Sequence, residues 1–479
     1  MAPIKLTDNQ QRVFNQITEF LSKDNPDDTF ILKGYAGTGK TTLAGFITSY
    51  LNAHDYRFMV MAPTGRAAKV IRNKVGLGYT IHSSIYSPNV ECYGIYDNYP
   101  KKSYALRMYY RNNYDTLAIL IDESSMISDK KDKDNFFKAD GSLLADLFTF
   151  ARESEIPKII FIGDNAQLPP VSCRSSYALD ADYLRKNYQR KVEVAELTEV
   201  LRQKGDSGIL KEATEMRLSL KVSDLFQREH TIEANGKDIL EIDPSEIPMK
   251  FVESTPTPTM GKSIVISYTN KLTNERNLKI REQYFGRNAG ILEVGEIILI
   301  CNNTMQNDIQ LFNGDFAQVL EIGECETHVI DVLDRRDQKI KKIELTYRLL
   351  KIRLADSAKS MNIIILENYI HEKTGQLPDI VRNALYIDFC KRHQNLKEGT
   401  DEFKIKLRKD PLFNCVHAKY GYAITCHKSQ GGEWDTVFVD YSKKNGKLND
   451  DIRWAYTATT RASRLLYITN PPEHRIYEE

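Results

Sequence analysis

The stretch Phe30-Ile-Leu-Lys-Gly34-Tyr-Ala-Gly37-Thr38-Gly39-Lys40-Thr41-Thr42 decides the fold. Phe30 to Leu32 is an apolar run of strand length, and the residues after Thr42, as far as Leu51, are long enough for a helix. Between them, Gly34, Gly39, Lys40 and Thr41 meet every fixed position of the pattern G-x-x-x-x-G-K-S/T. Glycines at such positions let the backbone approach closely, so that successive N–H groups ring a phosphate at the helix N-terminus. Lys40 would reach the β- and γ-phosphates, and the Thr41 hydroxyl would ligate Mg²⁺. Gly34, Gly37, Thr38, Gly39, Lys40, Thr41 and Thr42 are therefore the first nucleotide-binding candidates.

Upstream, Val13, Phe14, Ile17, Phe20 and Leu21 fall at helical spacing behind Thr7 or Asp8 as a cap. Gln10 keeps two readings. It is a solvated first-turn glutamine, or an amide that pairs with N6 and N7 of adenine, as Asn and Gln do in DNA grooves. Downstream, Phe58 to Ala62 is a second buried strand, and Pro63-Thr64 stands where a helix begins, a natural phosphate contact. In Thr80-Ile-His82-Ser83, the histidine reads either as a packed or surface residue or as a ligand contact.

Thr116 to Ile121 is a third strand and ends in Asp122-Glu123-Ser124-Ser125. Two carboxylates at the end of a buried strand are costly without a partner. Beside a phosphate loop that partner is a metal, so Asp122 would hold Mg²⁺ and Glu123 would orient and deprotonate the attacking water. The alternating charges from Asp129 to Asp134 lack calcium-loop ligands and read as a solvated insertion. Lys158 to Gly163 is a further strand. Asp164 and Gln167, just past its carboxyl end, should face the nucleotide, with Gln167 suited to sense a γ-phosphate. Arg202 lies near a helix start at the end of Glu196 to Gln203.

Residues 84–115 interrupt this rhythm with eight tyrosines and the cations Lys101, Lys102, Arg107 and Arg111. They read equally as a single-strand stacking platform or as rings packed on the main domain. A new sheet begins at Ser263 to Asn270, after a polar stretch ending in Thr255-Pro-Thr-Pro258. Short strands are expected at 296–301, 316–322, 328–332, 342–354 and 363–366, followed by helical residues around 376–410. Tyr420 to Asp435 carries Thr425, His427, Lys428, Ser429, Gln430, Gly431 and Glu433. A helix over Ala455 to Ala462 contains Arg461.

The chain has 479 residues, 41% hydrophobic and 27% charged, with a net charge of +1. That suits a globular protein of about three ordinary domains. Any nucleic-acid contact must then come from local basic surface. Neither a membrane span nor a signal peptide is expected. Seven dispersed cysteines without a C-x-x-C pair point to reduced thiols in a cytoplasmic location, with no zinc or iron–sulfur site.

Taken in order, Gln10, the phosphate loop, Ala62-Pro63-Thr64, Thr80 to Ser83, Asp122 to Ser125, Gly163 to Gln167, Leu197 to Gln203, His427 to Gly431 and Tyr456 to Ala462 resemble the motif series of superfamily 1B DNA helicases of the Dda and RecD-like type. The resemblance implies an α/β fold with two RecA-like parallel-sheet motor domains. Residues 1–83 with 116–203 would form the first, and 204–300 with 415–479 the second. A small pin-like subdomain (84–115) would be inserted in the first, with a strand-separating aromatic among Tyr93, Tyr96 and Tyr99. An SH3-like β-barrel with a helical extension (301–414) would be inserted in the second.

It further implies ATP and Mg²⁺ as cofactors, with Lys40, Glu123, Gln167, Arg202 and Arg461 catalytic, the two arginines acting as fingers when the second motor domain closes. Gln10, Gln430, Gly431 and Glu433 join the nucleotide set, and Thr41 and Asp122 the metal set. Pro63, Thr64, His82, Thr425, His427, Lys428 and Ser429 would grip the strand. The implied partners are single-stranded DNA and duplex junctions, with a single-strand-binding or replication protein compatible, no membrane, and a monomeric state. Translocation would run 5′→3′. Replication, recombination and repair are all compatible with this. Two other readings stand beside it: an RNA-directed superfamily 1 helicase, which only 2′-hydroxyl contacts would separate, and a phosphate-loop NTPase switch that binds no nucleic acid.

Overall fold

The computed structural model describes residues 5–23, 28–87, 116–131, 141–171, 173–199, 207–222, 231–334, 337–355, 357, 359–372, 375, 377–398, 400–442 and 448–472, with strand fragments at 95–96, 99–100, 104–105, 107–108 and 137–138. The chain divides into two compact units, one holding most of residues 1–207 and the other most of 208–479.

In the first unit, β1 (Asp28–Gly34), β2 (Arg57–Ala62), β3 (Tyr79–Thr80), β4 (Thr116–Ile121), β5 (Lys158–Gly163) and β6 (Lys191–Leu197) form one parallel sheet in the order β6-β1-β5-β4-β2-β3. Successive side chains of a strand point to opposite faces, and here both faces are covered. Phe30, Leu32, Val60, Leu120, Ile160 and Ile162 pack on one side with α1 (Asp8–Ser22), α2 (Lys40–Ala53) and α3 (Gly65–Val75). Ile31, Met61, Ile119, Ile121, Ile159 and Phe161 pack on the other, with α4 (Ile81–Ile85) and α5 (Leu143–Glu153). That is why the strands read as continuous apolar runs. The in-register pair Asp28 and Lys158 closes the amino end as a buried ion pair of 3.1 Å. The last helix among the unit's described residues is α6 (Ala181–Tyr188).

Asp129 departs from the solvated insertion expected around it. Its carboxylate accepts the hydroxyls of Tyr183 and Tyr188, each at 2.5 Å, and that of Ser142. Three hydroxyls on one carboxylate anchor the start of the charged segment to the body of the unit. Residues 132–136 lie outside the described residues, as do the side chains of 88–115, and with them the pin aromatic and the stacking-platform reading.

The second unit contains another parallel sheet, ordered β7-β16-β15-β8-β14, from β7 (Ile239–Glu241), β8 (Ser263–Ser267), β14 (Ala423–Thr425), β15 (Trp434–Asp440) and β16 (Ala462–Thr469). It carries α7 (Gly208–Lys221), α8 (Ile247–Ser254), α9 (Asn270–Phe285), α12 (Cys426–Ser429) and α13 (Leu448–Thr459). From α9 the buried Asn277 amide donates to Ala423 O at 3.0 Å and accepts the Tyr422 and Ala423 N–H groups, fixing the start of β14. Helix α13 ends at Thr459 rather than continuing to Ala462, so Arg461 stands on the turn between α13 and β16.

Between these elements β9 (Ile297–Ile300), β10 (Phe316–Asp334), β11 (Lys339–Leu354), β12 (Ser360–Leu366) and β13 (Ala418–Tyr420) make an antiparallel sheet ordered β12-β11-β10-β9-β13. A parallel bridge of Ile365 to Val416 joins the β12 side to the chain entering β13, with hydrogen bonds of 2.8 and 2.9 Å. The sheet thus curls back on itself, covered by α10 (Asp379–Arg392), and α11 (Asp401–Lys409) follows. The two strands expected at 316–322 and 328–332 are one strand, whose register slips between Val319 and Glu321 and again between Ile322 and Cys325, across Gly323. A bulge re-aims a strand without ending it. Through β9 and β13 the sheet reaches past both bounds expected for the insertion.

Candidate functional site

Gly37 and Gly39 both adopt left-handed φ (79° and 78°), which a side chain would resist, and Gly39 opens α2. A Cβ on Gly34 would lie 2.8 Å from Thr38 Oγ1 and 2.9 Å from Lys40 Cγ. Lys40 curls back over the loop, its Nζ donating to Gly34 O at 2.7 Å and Tyr35 O at 2.9 Å. The loop is a cradle whose cation already lies across its mouth. Strand β4, next but one to β1, ends beside it: the Thr41 hydroxyl donates to Asp122 Oδ2 at 3.5 Å.

Burial pushes the Asp122 carboxyl above the ordinary range, opposed by the Glu123 N–H at 2.9 Å and by the charge of Lys40. A half-buried hydroxyl beside a buried carboxylate is chemically suited to a hard divalent cation. Glu123 has a left-handed φ of 52°, a strained conformation for a side-chain-bearing residue and one that gathers at functional sites. Strand β5 delivers Asp164, fully buried, whose Oδ1 accepts the Ala166 N–H at 3.0 Å. Gln167 follows, also buried, and among the described residues its Oε1 has no hydrogen-bond partner. Buried polar atoms are almost always paired, so this acceptor marks a place for a ligand or solvent.

Gln10 is not a solvated residue. It is 3% exposed, its Oε1 accepts the Thr7 N–H at 3.1 Å, and its Nε2 donates to Thr38 O at 3.2 Å. The amide ties the first turn of α1 to the phosphate loop. Two side chains that sequence reasoning missed complete the surround: Tyr35 donates its hydroxyl to Glu196. Glu196 is in register with Lys33 across β1 and β6, a pairing that only the strand order reveals.

At the far edge of the same sheet, Met61 and Ala62 pair with Tyr79 and Thr80, so Pro63-Thr64 and His82 leave adjacent strand ends side by side. Thr64 caps α3, accepting the Ala67 N–H at 3.2 Å, and His82 is exposed, its ring 5.5 Å from that of Tyr86.

In the second unit the candidates cluster around α12. Thr425 precedes it, and burial lowers the His427 imidazole, which is therefore neutral at physiological pH. Lys428 Nζ lies 3.5 Å from Cys301 Sγ. Ser429 is fully buried and donates to Cys426 O at 2.7 Å, so its hydroxyl serves the turn instead of facing outward. Arg461 is 5% exposed, with Nε on Thr457 O (2.9 Å), one terminal nitrogen on Gly432 O (3.1 Å) and the other on Thr460 Oγ1 (3.0 Å). It thereby joins the loop of Gln430 (buried), Gly431 (φ 71°) and Glu433 (exposed) to the end of α13. Arg202 lies outside the described residues.

A family model described as an AAA domain matches residues 5–230, and one described as a UvrD-like helicase C-terminal domain matches residues 420–469. The ATP-dependent DNA helicase dda of Enterobacteria phage T4 is 26% identical over 346 residues, covering 68% of this chain and 69% of that protein. An uncharacterized protein of Acanthamoeba polyphaga mimivirus is 22% identical over 524 residues, covering 95% and 98%. The Pif1 helicase structure from Candida albicans is 18% identical with a TM-score of 0.47, covering 98% and 95%. A phosphate loop on one parallel sheet and a helicase C-terminal match on a second are the features the chain shares with the class of superfamily 1 helicases. Within that class the chain is similar to superfamily 1B helicases of the Dda-like type. Among the described residues no helix is long and apolar enough to cross a membrane.

Proposed function

We propose that the protein is an ATP-driven motor that translocates 5′→3′ on single-stranded DNA and unwinds the duplex ahead of it. The observation that carries this reading is the approach of Thr41 and Asp122, at 3.5 Å, beneath a cradle already crossed by Lys40. Lys40 would exchange its two carbonyl partners for β- and γ-phosphate oxygens. Glu123 would hold the attacking water, and Gln167 would turn its unpaired Oε1 to that water or its amide to the γ-phosphate. A Mg²⁺ ion, held by Thr41 and Asp122, would neutralise charge on the phosphates. Arg461, and Arg202 with it, would stabilise charge on the transferring phosphoryl group. Gln10 would read adenine with an amide that now holds Thr38 O. Gln430, Gly431 and Glu433 would border the nucleotide.

Thr64 with Pro63 and His82 on one unit, and Thr425, His427, Lys428 and Ser429 on the other, would hold the strand, Ser429 through its backbone. Most such contacts go to phosphate and position the strand without reading its sequence. Strand displacement from duplexes carrying a 5′ or a 3′ single-stranded tail tests the proposal. Unwinding from the 5′-tailed substrate alone, dependent on ATP and Mg²⁺, is the expected result; unwinding only from the 3′ tail would refute the polarity.

A further inference from the structure

An aromatic ring that belongs to neither face of the first sheet stands next to the candidate strand contacts. Helix α3 ends at Gly76, and the chain returns so closely that a Cβ on Gly78 would lie 2.5 Å from Ala68 O and 2.9 Å from Arg72 N. That approach brings Gly78 O to Arg72, which donates to it from Nε at 2.8 Å and from a terminal nitrogen as well. Held by both donors, the guanidinium carbon sits 5.3 Å from the centroid of the Tyr79 ring. Tyr79 is 51% exposed on β3, the outermost strand. Its neighbour Ile81 is fully buried, whereas Tyr79 belongs to neither core cluster of the sheet. Strand register then sets it beside Met61, two residues before Pro63-Thr64, and the chain runs from Tyr79 to His82, in α4, in three residues.

We propose that Tyr79 is a base-stacking residue for single-stranded DNA on the first unit, with Arg72 as its positioning residue; this rests on the motor reading given above. A ring backed by a fixed cation is pre-oriented, so stacking a nucleobase on it costs little side-chain ordering. Base–aromatic stacking tolerates any sequence because every base has a π-face, as a motor that steps along a strand requires. The backing guanidinium also places positive charge where the phosphates on either side of the stacked base would run. Thr64, Thr80 and His82 supply hydrogen-bonding groups at this edge, so Tyr79 adds a contact to the bases themselves.

The test compares binding of a fluorescent oligo-dT strand with binding of an abasic strand of equal length, by anisotropy, using the full chain. Tyr79→Ala should weaken oligo-dT binding by roughly 5- to 100-fold, the usual range for losing one stacked base. Tyr79→Phe and Tyr79→Trp should bind oligo-dT as the unsubstituted protein does, and all four proteins should bind the abasic strand alike. Retention of oligo-dT affinity by Tyr79→Ala would overturn the proposal, and so would an equal loss on the abasic strand, which would mean a structural or phosphate role. If the unsubstituted protein binds neither strand, the motor reading fails first. That outcome is distinct from a failure confined to Tyr79.

Discussion

Arg461 shows how much of a residue's role its surroundings fix. Its guanidinium is nearly buried, and its three hydrogen bonds all go to its own unit, to Thr457, Gly432 and Thr460. To stabilise charge on a phosphoryl group it must trade some of those partners for phosphate oxygens, and a planar fork can do so while keeping others. Arg461→Lys retains the charge but not the fork. It should lower ATP turnover by about 10³-fold or more while leaving the affinity for a fluorescent ATP analogue within about threefold, the pattern of an arginine finger. Near-normal turnover in single-turnover measurements would remove Arg461 from the transition state. Residues of this kind stand out in a sequence because phosphate chemistry demands particular residue types at fixed spacing, and Lys40, Thr41 and Asp122 lie near one another in the fold. What spacing cannot convey is which way a side chain turns. Ser429, read as a strand contact, has its hydroxyl buried in the α12 turn, and Gln10, open to two readings, is bonded at both ends of its amide.

At the scale of elements, the curled sheet and its helices are tied by charge as well as by packing. Arg392 of α10 donates to both oxygens of Asp410 at 2.6 and 2.8 Å and to Asp388 at 2.9 Å, and His393 reaches Asp410 at 3.0 Å. Burial would raise Asp410, but these bonds and the Phe413 N–H hold it down to about 2. A carboxylate held below its ordinary value stabilises the fold above that value and loses the contribution as pH falls through the held value. The link between α10 and the end of α11 should therefore be intact at pH 5 and lost progressively between about pH 4 and 2. Asp410→Asn should remove that acid dependence and cost about 3 kcal/mol at neutral pH, since Arg392 is left with one carboxylate. Thermal unfolding at pH 5 and pH 3 checks both, and an unchanged acid limb in the variant would assign the loss elsewhere. Elements were legible where an apolar period ran long enough, as in β1, β5 and α1. Edge strand β7 has three residues and no period to read. The bulge at Gly323 looked like a strand boundary because a glycine followed by polar residues signals a turn and a bulge alike.

For the whole molecule the deciding quantity is charge. A net charge of +1 gives no global field to attract a polyanion, so the proposed strand binding would have to be built from local contacts. The order of motifs along the chain was legible for the same reason as the site, because both sheets must present their chemistry at strand ends. The insertions carry no such demand. Asp129, held by two tyrosines some fifty residues further along the chain, could not be paired from sequence.

The lack of a steering field makes a quantitative prediction for the proposed motor. Each phosphate neutralised on a single strand contributes about −0.7 to the slope of log affinity against log salt. If Lys428 neutralises one, Lys428→Ala should reduce the magnitude of that slope by about 0.7 and weaken binding by the same factor for every base composition. The comparison is internal, since His427 beside it is held neutral by burial and its replacement should leave the slope unchanged. Titrations of a labelled single strand across a series of salt concentrations measure both variants. An unaltered slope for Lys428→Ala would mean that its ammonium, 3.5 Å from the Cys301 thiol, joins α12 to the chain leaving β9 and does not touch the strand.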